Sequence, residues 1–315
     1  MTRYLVTGGA GFVGANLVFG LLSKPDAEIF LLLKPKTNTW RLDHVLPNPR
    51  LHILEVDLLE RKKLQAVVAE IRPQVIYHLA AHGAYPVQDN ATEIFQTNIF
   101  STLNLLHATK TQPYELFVHA GSSSEYGFKD QPMCERDICV PNSYYAISKL
   151  ASTNLCSYTA MSKNKPIVTL RFFSVFGPYE ESSRLLPTLL RALQQNKVLA
   201  LTAPETARDF VYVDDVISLL LEVARLKKQS GKVFNLGTGR QTSLRELVAV
   251  CESVAQLRLQ ARWGKYSARA WDTQSWAADM TLTKKMLSWL PKNDLKSGLS
   301  HFWHWYQKNF LLYEA

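Results

Sequence analysis

Patterns that mark metal, redox or membrane proteins are scarce in this chain of 315 residues. It has only four cysteines, Cys134, Cys139, Cys156 and Cys251. Their spacing matches no zinc ligand set, and Cys134 and Cys139 stand too far apart for a C-x-x-C redox pair. Reduced, packing thiols are the expectation. His78, His82 and His119 show no H-E-x-x-H spacing, and His301 and His304 lack a third ligand, so no metal is expected. No apolar run approaches the roughly 18 residues that a membrane helix needs. Met1 leads directly into the strand-like Tyr4-Leu5-Val6 without a secretory core or cleavage site, so the expected location is the cytoplasm. Internal repeats, low-complexity tracts and Gly/Ser linkers are also missing, which predicts lobes that pack tightly. Acid is the scarcer charge. With 27 Asp and Glu against 36 Lys and Arg, the net charge is +9, which favours anionic partners. The cations are dispersed, with no basic helix, zinc finger or RNA-binding aromatic motif, so nucleic acid is not the expected partner; a small phosphorylated ligand needs only a few cations, and the charge excess alone does not choose between the two.

What is present is an ordinary globular composition, 47% hydrophobic and 20% charged. Strand-like segments at 3–7, 29–33, 52–56, 75–79, 116–120 and 167–172 alternate with helix-like ones at 13–23, 62–71, 91–109 and 143–161. Several of the strands are unbroken apolar runs, as in parallel sheets buried on both faces. The expected class is α/β, a doubly wound parallel sheet (Rossmann) with a smaller C-terminal α+β substrate lobe. Residues 1–175 would form the dinucleotide-binding domain, with 209–237 returning to it. Residues 176–315 would form the second lobe, with a helix at 185–195, a short strand at 198–201 and a closing helix at 295–310 that covers the core.

Thr7-Gly8-Gly9-Ala10-Gly11-Phe12-Val13-Gly14 joins the first strand to the first helix. Glycines there allow a tight turn and a close backbone approach to a pyrophosphate, which the helix N-terminus attracts. No Lys-Ser/Thr pair follows, which argues against a Walker-type loop. Gly8, Gly11, Phe12, Val13 and Gly14 are therefore cofactor-binding candidates. An NAD site carries an acid about twenty residues further on, to hold the ribose 2′-hydroxyl. Here Leu33-Lys34-Pro35-Lys36-Thr37 offers Lys34 instead, with Lys36 and Arg41 nearby. A 2′-phosphate fits cations, so NADP(H) is expected over NAD(H).

Tyr145 and Lys149 stand four apart on one helix face. A free phenol ionises near pH 10. A neighbouring ammonium together with an oxidised nicotinamide brings it toward working range for proton transfer. Gly121-Ser122-Ser123-Ser124-Glu125-Tyr126-Gly127 ends a strand where doubly wound folds bind ligands, so a hydroxyl there can hold the reacting oxygen.

With these motifs the chain resembles the extended short-chain dehydrogenase/reductase family, which includes nucleotide-sugar 4-epimerases, dehydratases and ketoreductases. The resemblance spans nearly the whole chain. It implies adenine contacts from Asp57 and Leu58 in Val56-Asp57-Leu58, and cofactor contacts from Leu79, Ala80 and Ala81 after His78. Asn98 resembles the family's asparagine near the start of the next helix. Leu170-Arg171-Phe172-Phe173-Ser174-Val175-Phe176-Gly177-Pro178 resembles the strand that lines the nicotinamide, with Phe173 on the cofactor and Ser174 on the substrate. Arg208 in Arg208-Asp209-Phe210 and Arg269 in Arg269-Ala270-Trp271-Asp272 stand where members clamp the nucleotide diphosphate. A homodimer through the helices at 98–109 and 143–161 is implied as well.

Two positions depart from the family. Ser174 replaces a common asparagine. Counted back from Tyr126 without a gap, the family's catalytic hydroxyl falls on Ser122, and the acidic pair of 4,6-dehydratases falls on Ser123 and Ser124. A one-residue gap would instead bring in Glu125 and move the hydroxyl to Ser123. The G-S-S-x-E-Y-G pattern resembles that of sugar 4-ketoreductases. The leading expectation is NADPH-dependent reduction of a keto group, at C4, of a nucleoside-diphosphate deoxysugar, with Ser122, Tyr145 and Lys149 as the catalytic set and Ser123 beside the substrate. An epimerase with tightly bound NAD is the alternative, and a dinucleotide-sensing binding module is the non-enzymatic one.

Overall fold

Alternate residues of each central strand are apolar in opposite directions, and this builds the architecture. In the computed structural model, which describes residues 1–85, 87–264 and 275–313, strand β1 (Thr2–Thr7) sends Tyr4 and Val6 to one face of the sheet and Leu5 to the other. Helix α1 (Phe12–Leu22) covers the first face with Leu17, Val18 and Leu21. Helix α2 (Arg61–Ile71) covers the second with Leu64, Val68 and Ile71. Both faces of β1 are covered in this way, so the hydrophobic gain is shared between two cores.

Strands β2 (Ala27–Leu33), β3 (Leu51–Glu55), β4 (Val75–His78), β5 (Leu116–Ser122) and β6 (Ile167–Phe172) complete the first six. The closing strand, Val233–Leu236, pairs in parallel with β6, giving the order closing strand, β6, β5, β4, β1, β2, β3, with every pairing parallel. The order in which successive strands are added reverses between β1 and β4, and the strand C-termini there open the crevice in which such sheets bind ligands.

The expected continuous helix over 91–109 is three pieces: α3 (Ala91–Phe95), a π-helical turn (Gln96–Phe100) and α4 (Ser101–Ala108). The hydroxyls of Thr102 and Ser152 both donate to the Asn98 carbonyl, at 2.6 and 2.7 Å, and Ser101 Oγ donates to Gln96 O. Side-chain donors that compete for these carbonyls are a recognised cause of such widened turns. Strand β4 stops at His78, one residue short of expectation, and β5 runs two residues longer, through Ser122.

After β6 the regular elements shorten. Ser174–Phe176 pairs with Phe210–Tyr212, Ala207–Arg208 with Thr242–Ser243, and Leu199–Ala200 with Ala261–Arg262. Buried carboxylates hold these pieces. Asp209 accepts from the backbone N–H groups of Thr238, Gly239 and Ala278, and Asp215 from those of Lys292 and Asn293. Asp214 and Asp215 do occupy the first turn of helix Val213–Leu220. The last helix, Leu295–Asn309, buries Phe302, Trp303 and Tyr306 as core. Among the described residues no helix is long and apolar enough to cross a membrane.

Candidate active site

The glycine loop is dictated by backbone crowding. A Cβ on Gly14 would sit 2.1 Å from Gly8 O, and one on Gly8, whose φ is +73°, would sit 2.5 Å from Ala80 N. Gly8 thereby docks the loop onto the chain just after β4, where Leu79 N donates to Thr7 O at 3.1 Å. Gly11 forms the N-cap of α1, with no side chain capping that terminus and no acid in its first turn. Gly11 itself is exposed, and Phe12 and Val13 are half-buried beside it. An eleven-residue helix with free N–H groups and an open glycine edge fits a dinucleotide pyrophosphate.

At the end of β2, Lys34 is largely exposed, with its Nζ 3.7 Å from Asp57 Oδ2. Asp57 Oδ1 accepts from Leu59 N at 2.9 Å, which fixes the turn that also holds buried Leu58. Arg41 corrects an expectation. Its guanidinium is buried, donating to Tyr179 O at 2.8 Å and to Ala10 O at 3.4 Å and pairing with Glu181 at 3.0 Å. It braces the glycine loop against the segment after β6 and has no arm left for a 2′-phosphate.

The catalytic candidates meet at the end of β5. Ser122 caps a 3₁₀ turn, Ser123–Tyr126: its Oγ accepts from Ser124 N, and Glu125 returns Oε1 to Ser122 N at 2.7 Å. Helix α5 (Tyr144–Lys163), capped by Ser143, carries Tyr145 and Lys149 toward this turn. Tyr145 shares a hydrogen bond with Ser122. Burial pushes the phenol pKa upward, while that hydrogen bond and the charge of Arg184 pull it back. Lys149 is buried, and burial moves its ammonium down to about 8, opposed by the negative charge of Glu125. It therefore remains mainly protonated at neutral pH.

Ser123 points elsewhere, its Oγ accepting from Trp276 Nε1 at 3.1 Å. Glu125 is fully buried beneath the site, where it binds Arg171 Nε at 2.8 Å and accepts from Thr153 Oγ1 at 3.1 Å. Arg171 in turn stacks over Tyr126 at 4.4 Å, and Tyr126 donates to Asn235 at 2.6 Å. The gapped alternative, with Glu125 facing a substrate, does not match this geometry. Ser122 is the serine bonded to Tyr145.

Asn98, in the π turn, accepts from His82 N and donates to His82 O and Ser148 Oγ, each at 2.8 Å. It ties the loop after β4, including half-buried Ala80 and exposed Ala81, to α5. Below Lys149, His78 lies between Thr7 at 2.7 Å and Thr102 at 2.8 Å. Thr102 gives its only hydrogen to Asn98 O, so His78 Nε2 carries the proton and Nδ1 accepts from Thr7. Burial and the Lys149 charge take His78 down to about 3, and they take His119 well below its ordinary value.

On the far side, Phe173 is buried and bonded to Leu236 O, and half-buried Ser174 donates its N–H to Asp209 O at 2.9 Å. Arg208 lies 5.0 Å over the Trp276 ring, so the indole links the strand end to the arginine. Arg269 falls outside the described residues. Sequence reasoning missed Arg171, Arg184 and Trp276, whose roles depend on partners distant in the chain.

The chain is similar to known proteins along nearly its whole length. The dTDP-glucose 4,6-dehydratase of Neisseria meningitidis serogroup B is 28% identical, with 98% of this chain and 94% of that protein covered. GDP-6-deoxy-D-mannose reductase of Pseudomonas aeruginosa is 29% identical over 90% of this chain and 94% of its own length. The structure of UDP-glucuronic acid 4-epimerase from Bacillus cereus, in complex with UDP-glucuronic acid and NAD, superposes with a TM-score of 0.86 at 26% identity, covering 98% of this chain and 99% of that one. The family model described as the NAD dependent epimerase/dehydratase family matches residues 4–237. The chain belongs to that family.

Proposed function

We propose that the protein reduces a keto group, at C4, of a nucleoside-diphosphate deoxysugar with NADPH. The observation that carries this reading is the strand end after β5. Ser122 and Tyr145 are joined by a hydrogen bond, Ser123 is held by Trp276, and Glu125 is withdrawn into the core. Dehydration requires an acid for the departing hydroxyl and a base for carbon, and this arrangement presents neither. A carbonyl reduction requires one proton donor and an oxygen-positioning group, and both are in place.

In this reading Ser122 holds the carbonyl oxygen and Tyr145 donates the proton to it. The buried ammonium of Lys149 favours the phenolate left behind. A bound reduced nicotinamide would supply the hydride, so ketone, hydride and proton sum to the alcohol. Gly8, Gly11, Phe12, Val13, Gly14, Asp57, Leu58, Leu79, Ala80, Ala81 and Phe173 would line the cofactor. Asn98 would act on it indirectly, through the loop it ties down. Lys34 is exposed at the end of β2, where no acid stands, and this supports a 2′-phosphate and hence NADP(H). Arg208, with Arg269, would clamp the substrate diphosphate, with Ser174 nearby. Exposed Phe100, Tyr144, Ile147, Tyr158 and Met161 follow one another on the π turn and α5, an apolar face suited to a homodimer.

The second reading is an epimerase that retains NAD, favoured by the NAD-bound epimerase of similar structure. Nucleoside-diphosphate 4-keto-6-deoxysugars with different bases, incubated with NADPH, separate the two. Stoichiometric NADPH oxidation with one of them is the expected result. A purified protein that carries NAD and interconverts two sugar nucleotides without net oxidation would establish the epimerase.

A further inference from the structure

Arg184, whose charge bears on the Tyr145 phenol, is also constrained in position. It forms the N-cap of the ten-residue helix Leu185–Gln194 and reaches back across the crevice. Its Nη1 donates to Ala84 O at 3.3 Å, and its guanidinium lies 5.4 Å over the Tyr85 ring. Ala84 and Tyr85 belong to the loop that Asn98 ties to α5, so Arg184 joins the two walls of the site.

The acids around it leave its charge largely unopposed. Glu181 is engaged by Arg41 at 3.0 Å. Glu180 lies 4.0 Å from Arg184 Nε, but it is buried with Oε2 unpartnered, and burial pushes its carboxyl up to about 8, opposed by Arg184. At neutral pH Glu180 is therefore mainly an uncharged acid. The groups that act on Tyr145 are Ser122 from β5, Glu125 from the turn after it, Tyr85 from the loop and Arg184 from the opposite wall, while Lys149 stands one turn further along its own helix.

We propose that Arg184 is a positioning residue for proton transfer: it fastens the loop after β4 across the mouth of the site and sets the electrostatic field at the Tyr145 hydroxyl. The proposal rests on the reading of Tyr145 as the proton donor. In the reducing direction Tyr145 must be protonated, so activity falls as pH rises through its pKa. Arg184 favours the phenolate, so its removal moves that alkaline limb to higher pH.

The test compares Arg184→Gln, Arg184→Lys and Tyr145→Phe. For Arg184→Gln the alkaline limb of kcat/KM should rise by about half a pH unit or more, the half-exposed guanidinium being partly screened. Near neutrality kcat should fall several-fold, and Arg184→Lys should restore most of the limb. Tyrosinate absorbance provides a readout without turnover. The titration assigned to Tyr145, taken as the difference between each protein and its Tyr145→Phe partner, should shift in the same direction. If Arg184→Gln raises only the KM for the sugar nucleotide and leaves both the limb and the absorbance titration in place, Arg184 is a ligand-binding cation and the proposal is wrong. If Tyr145→Phe remains active, the functional reading fails by itself, and the absorbance titration still decides the role of Arg184.

Discussion

The region up to β6 and the region after it are built by different means. In the first, long strands and helices repeat the same parallel pairing, and unbroken apolar runs feed two cores. In the second, strands of two or three residues are held by single buried carboxylates, Asp209 and Asp215, each serving backbone N–H groups from distant loops. Repetition distributes stability over many equivalent contacts, whereas a carboxylate staple concentrates it at one side chain. The first arrangement suits a constant cofactor frame. The second lets substrate loops change without disturbing the sheet.

The largest effect should separate chemistry from binding along this division. Tyr145→Phe removes the proposed proton donor from the first region. It is expected to lower kcat by about a thousandfold while leaving the dissociation constants of NADPH and the sugar nucleotide within a few-fold. Arg208→Ala, in the second region, should instead raise the KM for the sugar nucleotide and spare NADPH affinity. Steady-state kinetics with equilibrium binding checks both. A Tyr145→Phe enzyme with ordinary kcat would remove the first region from the chemistry.

The same difference explains what was legible in the sequence. Strand β6 begins and ends where the pattern places it, because Lys165-Pro166 precedes it and Ile167, Val168, Leu170 and Phe172 make it mainly apolar. The glycine loop, Ser122, Tyr145 and Lys149 were readable because spacing on a strand, turn or helix fixes them. The π turn at Gln96–Phe100 was not, since it depends on a hydroxyl from Ser152 on another helix. Arg41 read as a loop cation because its three partners, Ala10, Tyr179 and Glu181, come together only on folding. Two-residue strands such as Ala207–Arg208 carry no period to detect.

The next effect is on stability against pH and concerns the first region alone. His78 and His119 are buried, and both nitrogens of His119 lack a partner. With folded-state values depressed to about 3 for His78 and well below ordinary for His119, the unfolded chain binds protons that the native state does not. The two histidines add no pH dependence above about pH 6.5; below it each lowers stability by about 1.4 kcal/mol per pH unit until its folded value is reached. Urea unfolding of wild type and His119→Leu from pH 7 to 4 isolates this term from the opposing one of Glu180: the stability difference between the two proteins should change by about 1.4 kcal/mol per pH unit below about pH 6.5. An unchanged slope in that variant would place the acid sensitivity elsewhere.

The smallest expected effect concerns Lys34 at the end of β2, which in the proposed reading selects between the two cofactors. Lys34 is largely exposed and its nearest carboxylate, Asp57, is 3.7 Å away, so solvent weakens any contact it makes. A 2′-phosphate brought beside it would gain a charge-assisted contact, and an aspartate there would repel that phosphate and accept from a ribose hydroxyl instead. Lys34→Asp is therefore expected to shift the ratio of NADPH to NADH affinity toward NADH by about 10- to 100-fold, with kcat on saturating cofactor little changed. Fluorescence titration of both reduced cofactors against wild type and variant measures the ratio. If the wild type binds NADH more tightly, Lys34 is a solvated loop residue, and the cofactor preference must come from another part of the frame. Arg41 is fastened to Glu181, and Lys36, the other cation of the turn after β2, is held in a left-handed conformation at φ 64°.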